Sequence, residues 1–281
     1  LFKDWRVRQA LIFAFNNEFI NKTINGTLQP KITSYFSNSV LGMSAGPAEG
    51  RVAELLEPFR DQLLPGALEG YSFPESDGAE RNRPNLRRAQ KMLQEAGWTV
   101  ADGALINAAG EGFSFDILLS AGSTENEAIA NIYADALSRL GIQTTITVVD
   151  SAQYKERSNV YDFDMTYYRR GVSLSPGNEQ MLYWGAEGVT EPGSRNYMGM
   201  NSPAAEAMIQ EMLSADSQQD FRAAVKALDR VLTSGRYVIP FWYSNVSRLA
   251  HKAELHYPET VPMYGDWLGF LPDVWWVEPP K

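Results

Sequence analysis

DWRVRQALIFAFNNEFI, residues 4–20, sets the class of this chain. Val7, Ala10, Leu11 and Ala14 recur at i, i+3, i+4 and i+7, and Ile12, Phe15 and Phe19 widen the apolar face. Asp4 stands where an N-cap would, and Gly26 is placed to end the segment. The stretch reads as an amphipathic helix laid on a hydrophobic core.

Downstream, Ser34 to Pro84 is polar and punctuated by Gly and Pro, apart from the short apolar segment Val52 to Phe59. Loops of that length in compact domains are usually functional or disordered. Asn85 reads as the cap of a helix with Leu86, Ala89, Leu93 and Ala96 on its face, closed by Gly97. Asp102-Gly103 and Ala109-Gly110 mark turns around a hairpin. Phe113, Phe115, Ile117 and Leu119 then alternate as in a strand. Thr124 to Glu127 has the form of a capping box, opening a helix that Gly141 stops. Ile146 and Val148 supply the next strand, so residues 113–149 form a βαβ unit, which requires parallel pairing through a right-handed crossover. A third strand spans Phe163 to Tyr168 after a short helix near Tyr154. Helices begin at Ser202-Pro203 and near Asp220, and Val238 to Tyr243 reads as a last buried strand. The sum is an α/β lobe over residues 1–243. The remainder, 244–281, is rich in Pro and Trp, has no helical period, and is expected to make no core of its own.

The chain has 281 residues, 44% hydrophobic and 12% aromatic, enough for a substantial core. No apolar run approaches the roughly 20 residues that span a bilayer. A net charge of -9 disfavours a phosphate-backbone partner, which needs clustered Lys and Arg. With no cysteine, disulfides, zinc-thiolate sites and thiol catalysis are excluded.

Asp-x-Arg-Val-Arg-Gln-Ala-Leu-x-x-Ala-Phe at residues 4–15 closely resembles the entry to the C-terminal lobe of family 5 extracellular solute-binding proteins, the oligopeptide receptors of ABC importers. Matching blocks follow: Asn85 to Ala89, Glu95 to Trp98, Leu140 to Ile142, Tyr161 to Met165, Ser175 to Gln180, Ser194 to Tyr197 and Ala227 to Leu232. The last three are similar to the YejA-type branch. The resemblance implies a type II periplasmic-binding-protein lobe, a mixed sheet flanked by helices. Residues 244–281 return to an N-terminal lobe that precedes this portion in the family and is missing here. It further implies a two-lobed clamshell in the periplasm, closing on an oligopeptide or peptide-like solute and docking on a membrane permease. No cofactor, metal, nucleic acid, membrane insertion or covalent chemistry is implied. On this reading residues 1–281 alone bind peptide weakly, and Trp267, Trp275 and Trp276 fold back on the lobe or drive dimerisation.

Tyr167-Tyr168-Arg169-Arg170 follows the third strand, whose end faces the cleft in the family. A guanidinium fork can hold a carboxylate through two bonds, and tyrosine offers an apolar shelf with a polar edge. Tyr168, with Arg169 or Arg170 pairing with an acidic group or C-terminal carboxylate of a peptide, is the expected contact; the alternative is a solvated Arg bridging to an acid of the same lobe. The best-known receptors carry Trp-x-x-Asp nearby, the aspartate clamping the peptide amino terminus, but Val172 occupies the acid's position. Asp164 and Glu179 are the nearest substitutes, with Glu179 expected to brace the Pro176-Gly177-Asn178 turn. By resemblance, Tyr35 and Phe36 lie at the cleft mouth, and Asn178, Trp184 and Asn196 supply further polar or stacking contacts. The supply of Tyr and Trp leaves a sugar or modified-peptide receptor as a second reading.

Gly42-Met43-Ser44-Ala45-Gly46 is a literal G-x-S-x-G. A nucleophile elbow needs a strand before it and a helix after it, whereas Ser37-Asn38-Ser39 precedes and Pro47 follows. The only histidines, His251 and His256, are in the tail and poorly placed for a triad or a metal. A serine hydrolase using Ser44 is thus the competing reading of another class, and the chain is expected not to be an enzyme. Asn21, Asn25 and Asn245 are sequons, relevant only in a eukaryotic secretory setting.

Overall fold

The computed structural model describes residues 1–244, 246, 248–263, 270–271 and 273–278. Asp4 caps the first helix, its Oδ1 accepting the Arg6 N–H at 2.8 Å. The single helix expected up to Gly26 is instead two, α1 (Trp5–Ala14) and α2 (Asn17–Asn25). Phe15 is extended at the break, and the polar pair that follows is buried and engaged elsewhere. Asn16 donates to the Ala79 carbonyl at 2.8 Å and accepts the Ser76 hydroxyl at 2.7 Å. Asn17 donates to the Pro240 carbonyl at 3.0 Å. These long-range bonds satisfy groups that a continuous helix would leave stranded in the interior. Gly26, at φ +72°, ends α2 as expected.

The long Gly/Pro-punctuated region contains α3 (Gly50–Leu56) and a 3-10 turn, Glu57–Gln62. The helix α4 (Arg83–Glu95) begins before the expected cap. Asn82 holds the N-cap position, Pro84 sits in the first turn, and Asn85 faces inward to donate to the Glu75 carbonyl at 2.9 Å.

The hairpin β1 (Thr99–Ala101) and β2 (Ala104–Ile106) turns at Asp102-Gly103, both at positive φ, as a two-residue turn of the primed class requires. Next come β3 (Ser114–Ser120), α5 (Thr124–Ser138) and β4 (Gln143–Val149), with β3 and β4 parallel from Ser114↔Gln143 to Ser120↔Val149. The cap of α5 is Ser123, one residue before the expected box, accepting the Asn126 N–H. After α6 (Ser151–Asn159), capped by Asp150, the third strand shortens to β5 (Met165–Thr166), parallel to β3 on its other edge. The order is β4-β3-β5, all parallel, and antiparallel ladders among the described residues are separate and two-stranded. Tyr154 fastens α6 to β5 through Thr166 Oγ1 at 2.9 Å and the Tyr167 carbonyl at 2.8 Å. The first core joins Val7 and Leu11 of α1, and Phe15 at its end, to Leu93, Phe113, Phe115, Ile117, Ile129 and Leu137.

A second core forms around α7 (Glu179–Trp184), α8 (Pro203–Leu213) and α9 (Gln218–Ser234). Ser202 caps α8 ahead of Pro203, and Ser217 caps α9 three residues before Asp220, near which its start was expected. Val225, Leu228 and Leu232 of α9 are wholly buried. Burial of each is worth about 1.5–3 kcal/mol, so Leu228→Ala alone would cost roughly 2–5 kcal/mol.

Val238 to Tyr243 is not the expected buried strand. It makes a single antiparallel bridge, Lys31↔Trp242, with the Ile32 and Tyr243 N–H groups bonding across at 3.1 and 3.0 Å. Pro240 interrupts the ladder because it has no N–H to donate. The tail also departs from expectation: β6 (Leu255–His256) pairs antiparallel with β7 (Trp276–Val277). Trp275 packs against His251, Tyr257 and Phe270 at 5.2, 4.8 and 6.4 Å between ring centres, a small aromatic cluster of the tail's own. Trp276 stays half exposed. Trp267 and Asn245 lie outside the described residues.

Candidate functional site

The segment carrying Tyr35 and Phe36 is held by one buried carboxylate on α9. Asp229 accepts the Ser34 hydroxyl at 2.6 Å and the N–H groups of Tyr35, Phe36 and Met43 at 2.8, 3.3 and 2.9 Å. Burial pushes its pKa up, and these donors oppose that rise. The adjacent Arg230, also buried, donates to the carbonyls of Ser44, Gly46, Ala67 and Leu68 at 2.6–3.2 Å. Two consecutive helix residues therefore organise most of the long loop.

Tyr35 meets Trp184 edge to face at 5.2 Å, and its hydroxyl approaches Met198 Sδ at 3.3 Å. Burial raises the Tyr35 pKa, with Asp229 and Tyr237 acting the same way and Arg8 and Arg170 opposing.

Arg170 lies with its guanidinium carbon 3.3 Å from the centre of the Tyr183 ring and 5.1 Å from that of Trp184. Such cation-π stacking supports a partly desolvated guanidinium. Burial lowers the Arg170 pKa, while Tyr183, Tyr168 and Glu179 pull it back up. Among the described residues no carboxylate forms an ion pair with Arg170. Arg195 reaches the same ring from another side, donating to the Tyr183 hydroxyl at 3.0 Å. Tyr168, 43% exposed, meets Tyr197 edge to face at 5.1 Å.

The structure thus brings together Tyr35, Tyr168, Arg170 and Trp184, and adds Tyr183, Arg195 and Tyr197. Arg195 and Tyr197 flank Asn196 in a block that sequence reading singled out; Tyr183 carried no local signal beyond being aromatic.

The other expected contacts are placed differently. Phe36 is 3% exposed and belongs to the second core, because the three N–H bonds to Asp229 turn its side chain inward. Trp184, although its ring meets Tyr35 and Arg170 in the cluster, is buried as well, donating from Nε1 to Gln180 Oε1 at 2.9 Å. Asn196 is an internal brace, bonded to the Gly185 and Met200 carbonyls and accepting the Met200 N–H at 2.7–2.9 Å. Asn178 is exposed at the start of α7 without a side-chain capping bond, and Arg169 is exposed.

Both nearby acids accept local backbone N–H groups. Asp164 accepts the Asp116 N–H at 3.0 Å, and both Glu179 oxygens accept the Gly177 N–H at 2.9 and 3.0 Å, bracing the turn as its position suggested. Val172 packs on the second core.

Ser44 lies in a loop flanked by neither strand nor helix, and its hydroxyl is 3.4 Å from the Arg230 guanidinium. A positive donor at that oxygen is the opposite of the general base a nucleophile needs. His251 instead bonds its own neighbour, the Lys252 carbonyl, at 2.9 Å. Among the described residues no group of three or more His, Cys, Asp or Glu could hold a metal, and no helix is long and apolar enough to cross a membrane. An open groove of about 510 Å³ is lined by Asp77, Glu80, Arg81, Arg83 and Arg87 at the start of α4, and shares no residue with the Arg170 cluster.

The βαβ sheet and flanking helices define a type II periplasmic-binding-protein lobe. The fold is similar to that of the oligopeptide-binding protein AppA of Bacillus subtilis, solved with a nonapeptide, at a TM-score of 0.69 and 20% identity, covering 99% of this chain and 48% of that one. Residues 1–191 match the family described as bacterial extracellular solute-binding proteins, family 5 Middle, and the chain belongs to this family. It is 39% identical over 277 residues to the uncharacterized protein y4wM of Sinorhizobium fredii, covering 98% of this chain and 41% of that protein. The probable peptide-binding protein YejA and the peptidoglycan-binding protein YepA, both of Agrobacterium fabrum, are 35% and 34% identical, covering 98% of this chain and 44% of each. The relatives are of the YejA type, and the chain spans less than half their length.

Proposed function

We propose that this chain supplies one wall of the ligand cleft in a periplasmic receptor that captures oligopeptides or peptide-like solutes for the membrane permease of an ABC importer. Residues 1–243 form one lobe, and 244–281 belong with a second. The observation that carries the reading is Arg170: a half-buried guanidinium, stacked on Tyr183 and without an ion-pair partner among the described residues. Retaining such a charge without a carboxylate is costly unless a ligand supplies one. Tyr168 provides the shelf beside it, and Tyr35, Phe36, Asn178, Trp184 and Asn196 shape the wall from behind or at its rim. Bridging water can substitute for direct side-chain contacts, as suits a receptor of varied peptides. Closure on ligand is a shift between open and closed populations. The probable peptide-binding relative YejA and the nonapeptide complex of AppA support a peptide ligand.

A sugar or a modified peptide is the second reading, favoured by the exposed Tyr168 with Tyr197 and by the peptidoglycan-binding relative YepA. The protein acts by binding and not by catalysis. Mass spectrometry of the solute released from the native receptor tests this, with short peptides expected. A glycoside without peptide overturns the first reading in favour of the second. Labelling by a fluorophosphonate that disappears in Ser44→Ala would overturn both.

A further inference from the structure

Tyr183 is shared by two cations. Arg170 lies on its face, 3.3 Å from the ring centre, and Arg195 donates to its hydroxyl at 3.0 Å, with its guanidinium carbon 5.8 Å from the same centre. One ring therefore fixes the spacing of two guanidiniums. In a chain of net charge -9, neither has an ion-pair partner among the described residues. The nearest acid, Glu179, bonds the Gly177 N–H with both oxygens and also takes the Gln180 amide at 3.1 Å. It braces the loop before α7 and offsets part of the Arg170 charge through space, without an ion pair to either guanidinium. Tyr168 and Tyr197 stand beside the cations as aromatic walls, so a bound group meets two donor forks at an apolar edge.

Arg195 acts through space to lower the Arg170 pKa, a like-charge repulsion that an anion lying across both would relieve. One carboxylate satisfies one fork. A second, on the same ligand end, satisfies the other. We infer that Arg170 and Arg195, spaced by Tyr183, form a two-point anion receptor that selects ligands carrying two negative charges at one end, such as a peptide whose terminal residue is acidic. This rests on the peptide reading above and narrows it. Arg170, stacked and half buried, takes the charge common to every peptide end. Arg195, exposed at the rim, takes the charge that distinguishes an acidic residue.

The test uses the native receptor freed of solute, titrated calorimetrically with Ala-Ala-Glu and its neutral isostere Ala-Ala-Gln. The acidic peptide is expected to bind about tenfold or more tightly. Arg195→Gln should erase that preference, and an unchanged far-ultraviolet circular dichroism spectrum and thermal midpoint show that the variant is folded. Tyr183→Phe, which keeps the ring and loses the hydroxyl, should reduce the preference partway. Equal binding of the two peptides, or a preference unchanged in Arg195→Gln, overturns the two-point receptor and leaves the peptide reading standing. Failure of both peptides to bind overturns the peptide reading and this inference with it.

Discussion

Asp229 on α9 accepts the hydroxyl of Ser34 at 2.6 Å across 195 residues of sequence, with both side chains buried. The same carboxylate takes three backbone N–H groups of the segment 35–43. Asp229→Ala would leave those donors buried and unpaired, at a cost of roughly 3 kcal/mol or more. Chemical denaturation should show a loss of that size, and limited proteolysis should cut faster between residues 34 and 46. Asp229→Asn, which keeps one acceptor oxygen, should lose less.

Glu18 joins α2 to the loop before α4, with Lys31 Nζ at 2.9 Å and the Ser76 N–H at 3.0 Å. Burial alone would raise its pKa, but the Lys31 ammonium and the bonds to its oxygens lower it below the ordinary 4.5. The folded protein therefore holds this carboxylate charged more firmly than the unfolded chain does. Its contribution is present above pH 4.5 and is lost as pH falls through the lowered folded value. Glu18→Gln should cost about 1 kcal/mol at pH 7, and the gap from the parent should narrow on acidification. Denaturation midpoints at pH 7 and pH 3 measure it.

Gly70 adopts φ +104°, and a Cβ there would strike the Ala45 carbonyl oxygen and lie 2.8 Å from that of Gly46. The positive φ and the close backbone each oppose a side chain. Gly70→Ala should destabilise the protein by about 2 kcal/mol and loosen the loop that Arg230 secures. Hydrogen exchange of residues 44–70 should report the opening, while the β3-β4 ladder stays protected.

Arg170→Gln should weaken binding of any peptide by about tenfold to a hundredfold, since a charge-assisted pair is lost at a desolvated site. Ser44→Ala should leave binding unchanged, its hydroxyl accepting from the Arg230 guanidinium at 3.4 Å, away from the Arg170 cluster. Titration of both variants of the native receptor with one peptide separates the two outcomes.

Where structure follows from neighbours in the chain, the residues were legible. Alternation in 113–119, the helical face after Thr124 and the Gly141 stop specify the βαβ unit, and Asp102-Gly103 specifies the hairpin. The blocks that resemble the family run through these same elements, so the family too could be read without coordinates. Errors gathered where a local pattern met a distant partner. Asn16 and Asn17 break a helix that their neighbours would continue, because Ser76, Ala79 and Pro240 supply their hydrogen bonds. Pro240 likewise reduces an apolar run to one bridge.

The candidate site divides in the same way. Arg170, Tyr168 and Tyr35 were legible as residue types beside family motifs, but nothing in sequence spacing shows that Phe36, Trp184 and Asn196 point into the interior. Burial is set by what packs against a side chain, which for Phe36 and Trp184 is the second core and for Asn196 the backbone of Gly185 and Met200. Sequence by itself determined the class of lobe, its βαβ centre and its family, since periodicity, caps and motif order are local properties. Tertiary structure alone decided that Arg170 and Arg195 meet on Tyr183, and that Asp229 with Arg230 holds the long loop. A guanidinium's partner is chosen by distance in space, and the chain separates these groups by many residues before the second core brings them into contact.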